Sequence, residues 1–397
     1  MLRRTVSSRL LVKFLAGVAI AALPLVAKAQ PGIVTSVASG YDVTTIPLPV
    51  GAQFKGAWGN HATDPNFIVL YYNDGVNDVI GKLNIATSTI TPLISDVQTP
   101  LNFVGGCILL SDTQLVWTEN SDGPTPTEDV YIATDADLDG FEASEVVALT
   151  TKGLNVDDVT GQTNFTGSRL RMIDATGIGG LQAGDVLVQT ADDDFLTVPI
   201  EPSEVFVIRG ITTPTPSFIP APGITNETFF RGTGAKELVY DGSISRGPNQ
   251  SLIIGSGLSD FSTARIIAVR DVNSDGQINE ATEANSLGDL NLGGLYELSA
   301  NTEGRLFASS GGNIKTAQID LTSGDVLTAP ALTSMTNLVT TSSFFLAGVL
   351  VDDPTLPFAP NGNPALSARV FFADFNGAEI YVVRPEQPSS VSDWNMF

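Results

Sequence analysis

The apolar residues of this chain fall in short runs of about four to eight residues, each bounded by Gly, Pro, Asn, Asp, Ser or Thr. Such runs are typical of β-strands with tight connections between them. Apolar residues at helical spacing are not sustained over three turns, and the best candidate for a helix is the short stretch from Glu280 to Ala284. The sequence therefore predicts an all-β fold.

One strand-like segment recurs six times along the chain. Its copies are Val79–Leu83 (VIGKL), Val130–Thr134 (VYIAT), Val205–Arg209 (VFVIR), Ile266–Arg270 (IIAVR), Ile314–Gln318 (IKTAQ) and Ile380–Arg384 (IYVVR). The spacing runs from 48 residues (266 to 314) to 75 residues (130 to 205), which suits a four-stranded propeller blade with its loops. A lone blade leaves an apolar face open, so blades must stack. We expect a six-bladed β-propeller, with tandem β-sandwich domains as the alternative.

The N-terminus carries an export signal. Four basic residues and no acids occupy the first thirteen positions, Phe14 to Val26 is uncharged and apolar, and Ala27-Lys28-Ala29 follows. We expect a signal peptide over residues 1–29 and a single propeller domain over residues 30–397. The protein would be secreted to the extracellular space or the periplasm, and no later segment is long and apolar enough to span a membrane.

The mature protein is strongly acidic. Residues 1–29 hold five of the 20 basic residues and none of the 43 acids, so the remaining net charge is 15 − 43 = −28. Such a charge repels phosphate backbones and anionic lipid surfaces, and it concentrates cations. We therefore expect no nucleic-acid partner. The single Cys107 cannot form an internal disulfide, and its apolar surroundings predict a core residue.

The clearest chemical motif is the loop that begins at Asp135 and reads DADLDGFEASE. Asp135, Asp137 and Asp139 alternate after a predicted strand, and Gly140 permits a sharp turn. Calcium takes six to eight oxygen ligands, so three alternate carboxylates, the Phe141 carbonyl and Glu145 form a suitable set. Glu145 stands at position 11 of the loop rather than 12, which predicts a connection between two strands rather than a helix–loop–helix unit.

A second loop of the same kind begins 136 residues later, at Asp271, and reads DVNSDGQINEATE. Asp271, Asn273 and Asp275 would offer side-chain oxygens, and Gln277 its carbonyl. Either Glu280 or Glu283 could complete the ligand shell. We predict two calcium ions as cofactors, one in each loop. The acidic run Asp192–Asp194 is either a further cation site or a polar turn.

These two loops resemble the calcium loops of EF-hands and dockerins, and their position after a strand is similar to that in secreted bacterial β-propellers with DxDxDG calcium loops. The resemblance covers the loops alone. It implies a calcium-bearing propeller in which the ions stiffen long connections. The helical tandem module of dockerins is not implied, because the loops are far apart and lie among strands.

Catalytic motifs are sparse in this sequence. His61 is the only histidine, which excludes any mechanism that needs two imidazoles, and its surroundings (Gly59 to Asp64) read as a polar surface turn. Our leading hypothesis is a non-enzymatic binding or surface module whose partner is an unknown protein or carbohydrate. The alternative is a calcium-dependent hydrolase, either a phytase-like phosphatase or a lactonase, with His61 and Asp64 near a central channel. A phosphatase would need basic residues gathered at that channel.

Overall fold

The computed structural model describes residues 32–101, 104–119, 130–148, 171–174, 177–189, 204–209, 211, 225–258, 260 and 262–386. All of these residues belong to one compact unit, Pro31–Phe397. The expected signal peptide over residues 1–29 and the acidic run Asp192–Asp194 lie outside the described residues.

The described chain consists mainly of β-strands, numbered here from the N-terminus. They are β1 (Val34–Val37), β2 (Tyr41–Pro47), β3 (Gln53–Asn60), β4 (Phe67–Asn73), β5 (Asp78–Asn84), β6 (Thr89–Ser95), β7 (Val104–Ser111), β8 (Gln114–Glu119), β9 (Val130–Thr134), β10 (Val146–Ala148), β11 (Arg171–Asp174), β12 (Val186–Gln189), β13 (Val205–Arg209), β14 (Thr225–Phe230), β15 (Tyr240–Arg246), β16 (Leu252–Gly257), β17 (Thr263–Val269), β18 (Ala284–Asn291), β19 (Glu297–Ala300), β20 (Arg305–Ser310), β21 (Asn313–Gln318), β22 (Thr336–Thr341), β23 (Leu346–Val351), β24 (Val370–Asp374) and β25 (Glu379–Pro385).

Helical structure in the described residues is confined to single turns. These are the α-helical turn α1 (Glu280–Glu283) and 3-10 turns at Ala143–Glu145, Gly234–Lys236, Pro248–Gln250, Val326–Thr328 and Pro364–Leu366. Even the longest helix in this part of the chain, with four residues, is far too short to cross a membrane.

The strands pair into six antiparallel sheets. Blades 1 to 4 are β3–β6, β7–β10, β11–β14 and β15–β18, each in chain order. Blade 5 is β19–β22, extended by β1 as a fifth strand. Blade 6 is β23–β25, completed by β2. The first strands of neighbouring blades contact each other around a closed ring, so the predicted six-bladed propeller is confirmed and the tandem-sandwich alternative does not apply.

The ring is closed by a strand from the other end of the sequence. Strand β2 pairs with β25 without a bulge, from Tyr41 opposite Pro385 to Pro47 opposite Glu379. Blade 6 therefore takes three strands from the C-terminal part of the chain and one from the N-terminal part. This pairing joins residues more than 300 positions apart in the chain. If it opens, blade 6 loses its outer strand.

The six recurring segments are the third strands of the six blades, β5, β9, β13, β17, β21 and β25. A third strand lies between two hydrogen-bonded neighbours and packs both of its faces against adjacent blades. Val205 to Ile208 of β13, for example, are all buried. Doubly buried strands need nearly continuous apolar sequence, which explains why this strand was the most visible repeat.

The hydrophobic core lies between the blades. Six buried clusters occur among the described residues, and each joins side chains of two neighbouring blades. The cluster between blades 1 and 2 includes Trp117, Tyr71 and Cys107. Cys107 is fully buried, as predicted. Stability therefore comes from stacking between blades, as a repeat architecture requires.

Strand direction places two sets of loops on one face of the ring. Neighbouring strands are antiparallel, so the loops after first strands and the loops after third strands emerge at the same edge of each blade. The first set surrounds the central channel and the second lies farther out. Both predicted calcium loops follow third strands, β9 in blade 2 and β17 in blade 4, so they occupy equivalent positions on this face.

Candidate functional site

The first predicted calcium loop brings its three aspartates together. One carboxylate oxygen from each of Asp135, Asp137 and Asp139 lies within 4.8 Å of the other two. The Asp135 carboxylate also shapes the loop, since it accepts hydrogen bonds from the backbone N–H of Leu138 at 2.7 Å and of Gly140 at 3.2 Å. Sequence reasoning thus identified a convergent oxygen cluster on a loop that joins two strands, β9 and β10.

Glu145 closes this loop through the backbone. Its carboxylate accepts hydrogen bonds from the N–H of Ala136 at 2.8 Å and of Glu142 at 3.0 Å. The Phe141 side chain is buried in the cluster between blades 1 and 2, which fixes the middle of the loop to the core. Glu145 therefore ties the end of the loop to its beginning and Phe141 anchors its middle, while Asp137 and Asp139 are exposed and Asp135 is half-buried.

The electrostatics of the first loop suit a cation. The pKa of Asp139 is raised by its hydrogen bond to Asp137 and by the negative charge of that neighbour. Carboxylates in such proximity repel one another unless a proton or a positive ion lies between them. All the candidate donors are oxygen atoms, which is the chemistry that calcium prefers. The residues present therefore fit a calcium ion.

The second loop has the same backbone shape as the first. Position 4 has a positive φ in both, 69° at Leu138 and 59° at Ser274, and position 6 is a glycine with positive φ, 112° at Gly140 and 84° at Gly276. Asp271 accepts hydrogen bonds from the backbone N–H of Gly276 at 2.8 Å, as Asp135 does from Gly140. The two loops are thus structural equivalents.

The structure separates the two glutamates that the sequence left as alternatives for the second loop. The Glu283 carboxylate is buried and accepts hydrogen bonds from the N–H of Val272 at 2.9 Å and of Asn279 at 2.8 Å. Glu280 instead accepts a hydrogen bond from the Thr233 hydroxyl at 3.0 Å. Glu283 therefore occupies the place of Glu145, and Glu280 faces away from the loop centre.

The remaining candidate ligands of the second loop cluster around Asp275. The Asn273 amide donates to the Asp275 carboxylate at 3.0 Å, and the same carboxylate accepts the Gln277 N–H at 3.0 Å. Asp275, Asn273 and Gln277 are exposed, whereas Asp271 is buried. The side chains stand together, and a ligand role for each of them and for the Gln277 carbonyl remains a prediction.

The second loop is hydrogen-bonded to a neighbouring blade. The buried Asp271 carboxylate accepts the N–H of Gly180, from the loop between β11 and β12 of blade 3, at 3.1 Å. A side chain on Gly180 would meet the Ser274 carbonyl oxygen at 2.6 Å, so glycine is required for this approach. Arg209 of blade 3 also donates to the Gly276 carbonyl at 3.3 Å. The second loop therefore fastens blades 3 and 4 together.

His61 is not a surface residue, so the prediction of a polar surface turn around it is wrong. It is 5% exposed. Its Nδ1 accepts the backbone N–H of Thr63 at 3.3 Å and of Asp64 at 3.2 Å, and its Nε2 lies 3.5 Å from the Asp112 carboxylate. The Asp64 carboxylate turns to the Asn66 N–H at 2.9 Å. These partners place the proton on Nε2 and leave no His61–Asp64 dyad for base catalysis.

We expect the pKa of His61 to lie below 6.5, because burial disfavours the imidazolium more than Asp112 favours it. Between the folded-state pKa and about 6.5 the unfolded chain binds more protons than the folded one, so the free energy of unfolding falls as the pH falls through that window. Proton NMR of the only imidazole in the chain measures this pKa directly.

Asp112→Asn provides the control for this titration. It removes a charge that raises the pKa of His61, so the pKa should fall further. A pKa at or above that of a free histidine in the wild-type protein would contradict the buried position of the ring.

The central channel contains a cavity of about 370 Å³ that opens on the loop face. The first strand of every blade contributes to its wall. The wall residues include, from blade 1 to blade 6, Trp58, Ile108, Ile173, Ile244, Glu297 and Leu350. The loops after β3 and β23 form part of its mouth. Its size is at the lower end of the range for small-molecule sites. Sequence reasoning did not identify these wall residues.

The basic residues of blade 4 do not gather at this cavity. Of Lys236, Arg246, Arg265 and Arg270, only Arg246 is among the cavity residues, and its guanidinium is 2.7 Å from the Asp174 carboxylate. The others are held elsewhere, Lys236 by the Glu280 carbonyl, Arg265 by Asp289 and Arg270 by Asp325. Among the described residues that line the cavity, the one guanidinium is therefore already paired with a carboxylate.

Comparison of the sequence with protein-family models and with curated proteins gives no match. The structure is similar to the holo PQQ domain of pyranose dehydrogenase from Coprinopsis cinerea, with a TM-score of 0.56 and 11% identity over 90% of this chain and 98% of that one. It is similar to a gluconolactonase from Xanthomonas campestris, with a TM-score of 0.51 and 12% identity over 90% and 96%. A putative glucose dehydrogenase from Thermus thermophilus gives a TM-score of 0.51 and 11% identity over 87% and 100%. At these identities the likeness shows a shared propeller fold.

Proposed function

We propose that this protein is an exported β-propeller that binds calcium in two loops and serves as a binding or surface-associated module. The observation that carries the proposal is the convergence of three carboxylates in the first loop, Asp135, Asp137 and Asp139. The matching backbone of the second loop supports a second ion. Both loops belong to the face on which the central channel opens, so calcium would stiffen the surface that meets a ligand.

Calcium suits these loops better than magnesium does. Magnesium requires a near-ideal octahedron and gives up its waters reluctantly, whereas calcium accepts irregular sets of carboxylate and carbonyl oxygens. If each site binds at about 0.1 mM and free calcium outside the cell is about 1 mM, each ion adds roughly 1.4 kcal/mol to the stability of the folded protein. A structural role needs no more than this.

We expect the thermal midpoint of the mature protein to rise with calcium relative to EDTA, by about 2 °C for each occupied site. Asp137→Ala and Asp275→Ala should each remove about half of the rise, because each deletes an exposed ligand of one loop. Asp320→Ala is the matched control, since it removes an exposed aspartate that follows the third strand of blade 5. It should leave the calcium response unchanged.

A midpoint that does not respond to calcium in the wild-type protein would show that the loops are solvated turns. A response that both loop variants retain in full would place the ions elsewhere. Isothermal titration of the wild-type protein and of the double variant counts the ions directly.

The alternative of a calcium-dependent hydrolase has less support from the channel. A lactonase of this fold would need carboxylate and amide ligands from several blades at one point on the axis. Among the described residues, two acids of the channel are paired with arginines, Asp174 with Arg246 and Asp352 with Arg369. Asp135, Asp137 and Asp139, which lie outside the channel, form the one cluster of three acidic or metal-ligating side chains found in the described part of the chain. Release of acid from gluconolactone in the presence of calcium would favour this alternative.

A further inference from the structure

A second concave site lies on blade 5, beside the loop that follows its third strand. It is an open groove of about 360 Å³, and it shares no lining residue with the cavity of the central channel. Strands β20, β21 and β22 and residues 330–334 of the loop between β21 and β22 line this groove. The corresponding loops of blades 2 and 4 are the two predicted calcium loops, so blade 5 carries a different structure at the same place in the ring.

One of the charged residues that line the groove is Arg305, the first residue of β20. In the described part of the chain, six other arginines lie within 3.3 Å of a carboxylate, whereas Arg305 forms no ion pair. The six are Arg209, Arg231, Arg246, Arg265, Arg270 and Arg369. Burial raises the pKa of the neighbouring Tyr41 hydroxyl, and the positive charge of Arg305 opposes that rise. Because a guanidinium forms paired hydrogen bonds with a carboxylate, Arg305 is suited to one that a ligand supplies.

A buried hydroxyl in the same groove also has no partner. Thr316 is 9% exposed, and its Oγ1 forms no hydrogen bond with the described residues. Gln318 pairs opposite Arg305, and Thr316 pairs opposite Phe307, so Thr316 is the diagonal neighbour of Arg305 on the same side of the sheet. Leaving a buried hydroxyl without a partner costs free energy. A polar ligand group that reached this hydroxyl would recover part of that cost.

The groove also contains a negative charge. Asp320, two residues after Gln318, is exposed and lines the groove. Its carboxylate accepts a hydrogen bond from the Thr322 N–H at 2.9 Å, which lowers its pKa and keeps it ionised at neutral pH. Arg305 and Asp320 are the two charged residues among the described residues of this groove, and they are too far apart to pair with each other. The groove therefore presents separate positive and negative groups.

A ligand that carries both a carboxylate and an ammonium group matches these two charges. A ligand with a net negative charge would be repelled by the acidic protein, and a ligand with only a positive charge would leave Arg305 unmatched. The volume lies at the lower end of the range for small-molecule sites. Thr333, Ser334 and Thr336 add hydroxyl groups to the lining, which suits a small polar molecule.

We propose that the groove of blade 5 binds a small zwitterion of the α-amino acid class, with its carboxylate on Arg305 and its ammonium group on Asp320. This inference deepens the proposed role as a binding module and names the chemical class of a ligand. It uses residues separate from both calcium loops, so the two proposals can fail independently.

The test uses three probes of nearly equal size. L-Serine carries both charges, L-serinamide lacks the carboxylate, and L-glycerate has a hydroxyl in place of the ammonium group. Binding to the mature wild-type protein is measured by ligand-observed NMR, in EDTA and in calcium. We expect L-serine to bind about tenfold more tightly than either of the other two probes, because each of them loses one charge-assisted contact.

Variants assign each charge to its residue. Arg305→Gln should remove the preference for L-serine over L-serinamide, and Asp320→Asn should remove the preference for L-serine over L-glycerate. Thr316→Val should weaken the binding of L-serine without lowering the thermal midpoint of the ligand-free protein, since the hydroxyl has no partner there to lose. Arg384→Gln, which removes an exposed arginine outside the groove, should retain both preferences.

Equal binding of the three probes to the wild-type protein would overturn the inference, and so would the absence of L-serine binding at about 10 mM. Unchanged preferences in Arg305→Gln and Asp320→Asn would also refute it. If Arg305→Gln does not fold, the wild-type series and Asp320→Asn still decide the question. A lost calcium response with an intact preference for L-serine would count against the proposed calcium sites and leave the groove standing.

Discussion

A chain that begins at Leu48 is expected to unfold about 6 °C below one that begins at Gly40, because it lacks β2 and so leaves the ring open. The seven residues of β2 pair along β25 from Tyr41 to Pro47, and Ile46 is buried in the core between blades 6 and 1. With a net contribution of roughly 1 kcal/mol for each backbone hydrogen bond and about 2 kcal/mol for the buried isoleucine, the loss is on the order of 5 kcal/mol. Thermal unfolding followed by circular dichroism measures the difference.

The shorter deletion is the control for this prediction. Beginning the chain at Gly40 removes β1, a four-residue fifth strand on the edge of blade 5, and leaves blade 6 complete. Its midpoint should stay within a few degrees of that of the mature protein. Equal midpoints for the two deletions would mean that the ring does not depend on its N-terminal strand.

The sequence predicted the blades but not the strand that closes the ring. The third strand was most visible where both of its faces are buried and its sequence is nearly continuous in apolar residues, as in Val205 to Ile208. Strand β2 reads as an ordinary alternating strand, and nothing local marks its partner near the other end of the chain. Its role depends on the length of the whole ring, which a local pattern does not contain.

The candidate site shows the same division between local and distant causes. The convergence of Asp135, Asp137 and Asp139 could be predicted because all three lie in one short segment. His61 was placed on the surface because its neighbours in sequence are polar, whereas Asp112 of blade 2 lies against its ring. Glu297 was missed for a similar reason, since its partners Trp58 and Val349 come from two other blades.

One signal for Glu297 was nevertheless present in the sequence. The first strand of blade 4 contains Ser243-Ile-Ser245 and the first strand of blade 5 contains Glu297-Leu-Ser299. Aligning the first strands of the blades, in addition to the third strands, would have set the glutamate against a serine.

The second loop allows its role as a clamp to be separated from its role as a calcium site. We expect Asp271→Ala to lower the free energy of unfolding by about 3 kcal/mol even in EDTA. The substitution leaves the buried carboxylate's three backbone donors, the N–H groups of Gly180, Asp275 and Gly276, without an acceptor, and each such loss costs roughly 1 kcal/mol or more. Urea unfolding in EDTA measures the contribution of these hydrogen bonds, and urea unfolding in calcium adds the contribution of the ion.

Asp275→Ala is the comparison variant, because Asp275 is exposed and shares the loop with Asp271. Its free energy of unfolding should be close to that of the wild-type protein in EDTA and lower than that of the wild-type protein only in calcium. If Asp271→Ala behaved in the same way, the hydrogen bond to Gly180 would contribute nothing and the loop would serve the ion alone. If Asp271→Ala is less stable than the wild-type protein in both conditions, Asp271 joins blade 3 to blade 4 without calcium, and the ion reinforces a contact that the ring already makes.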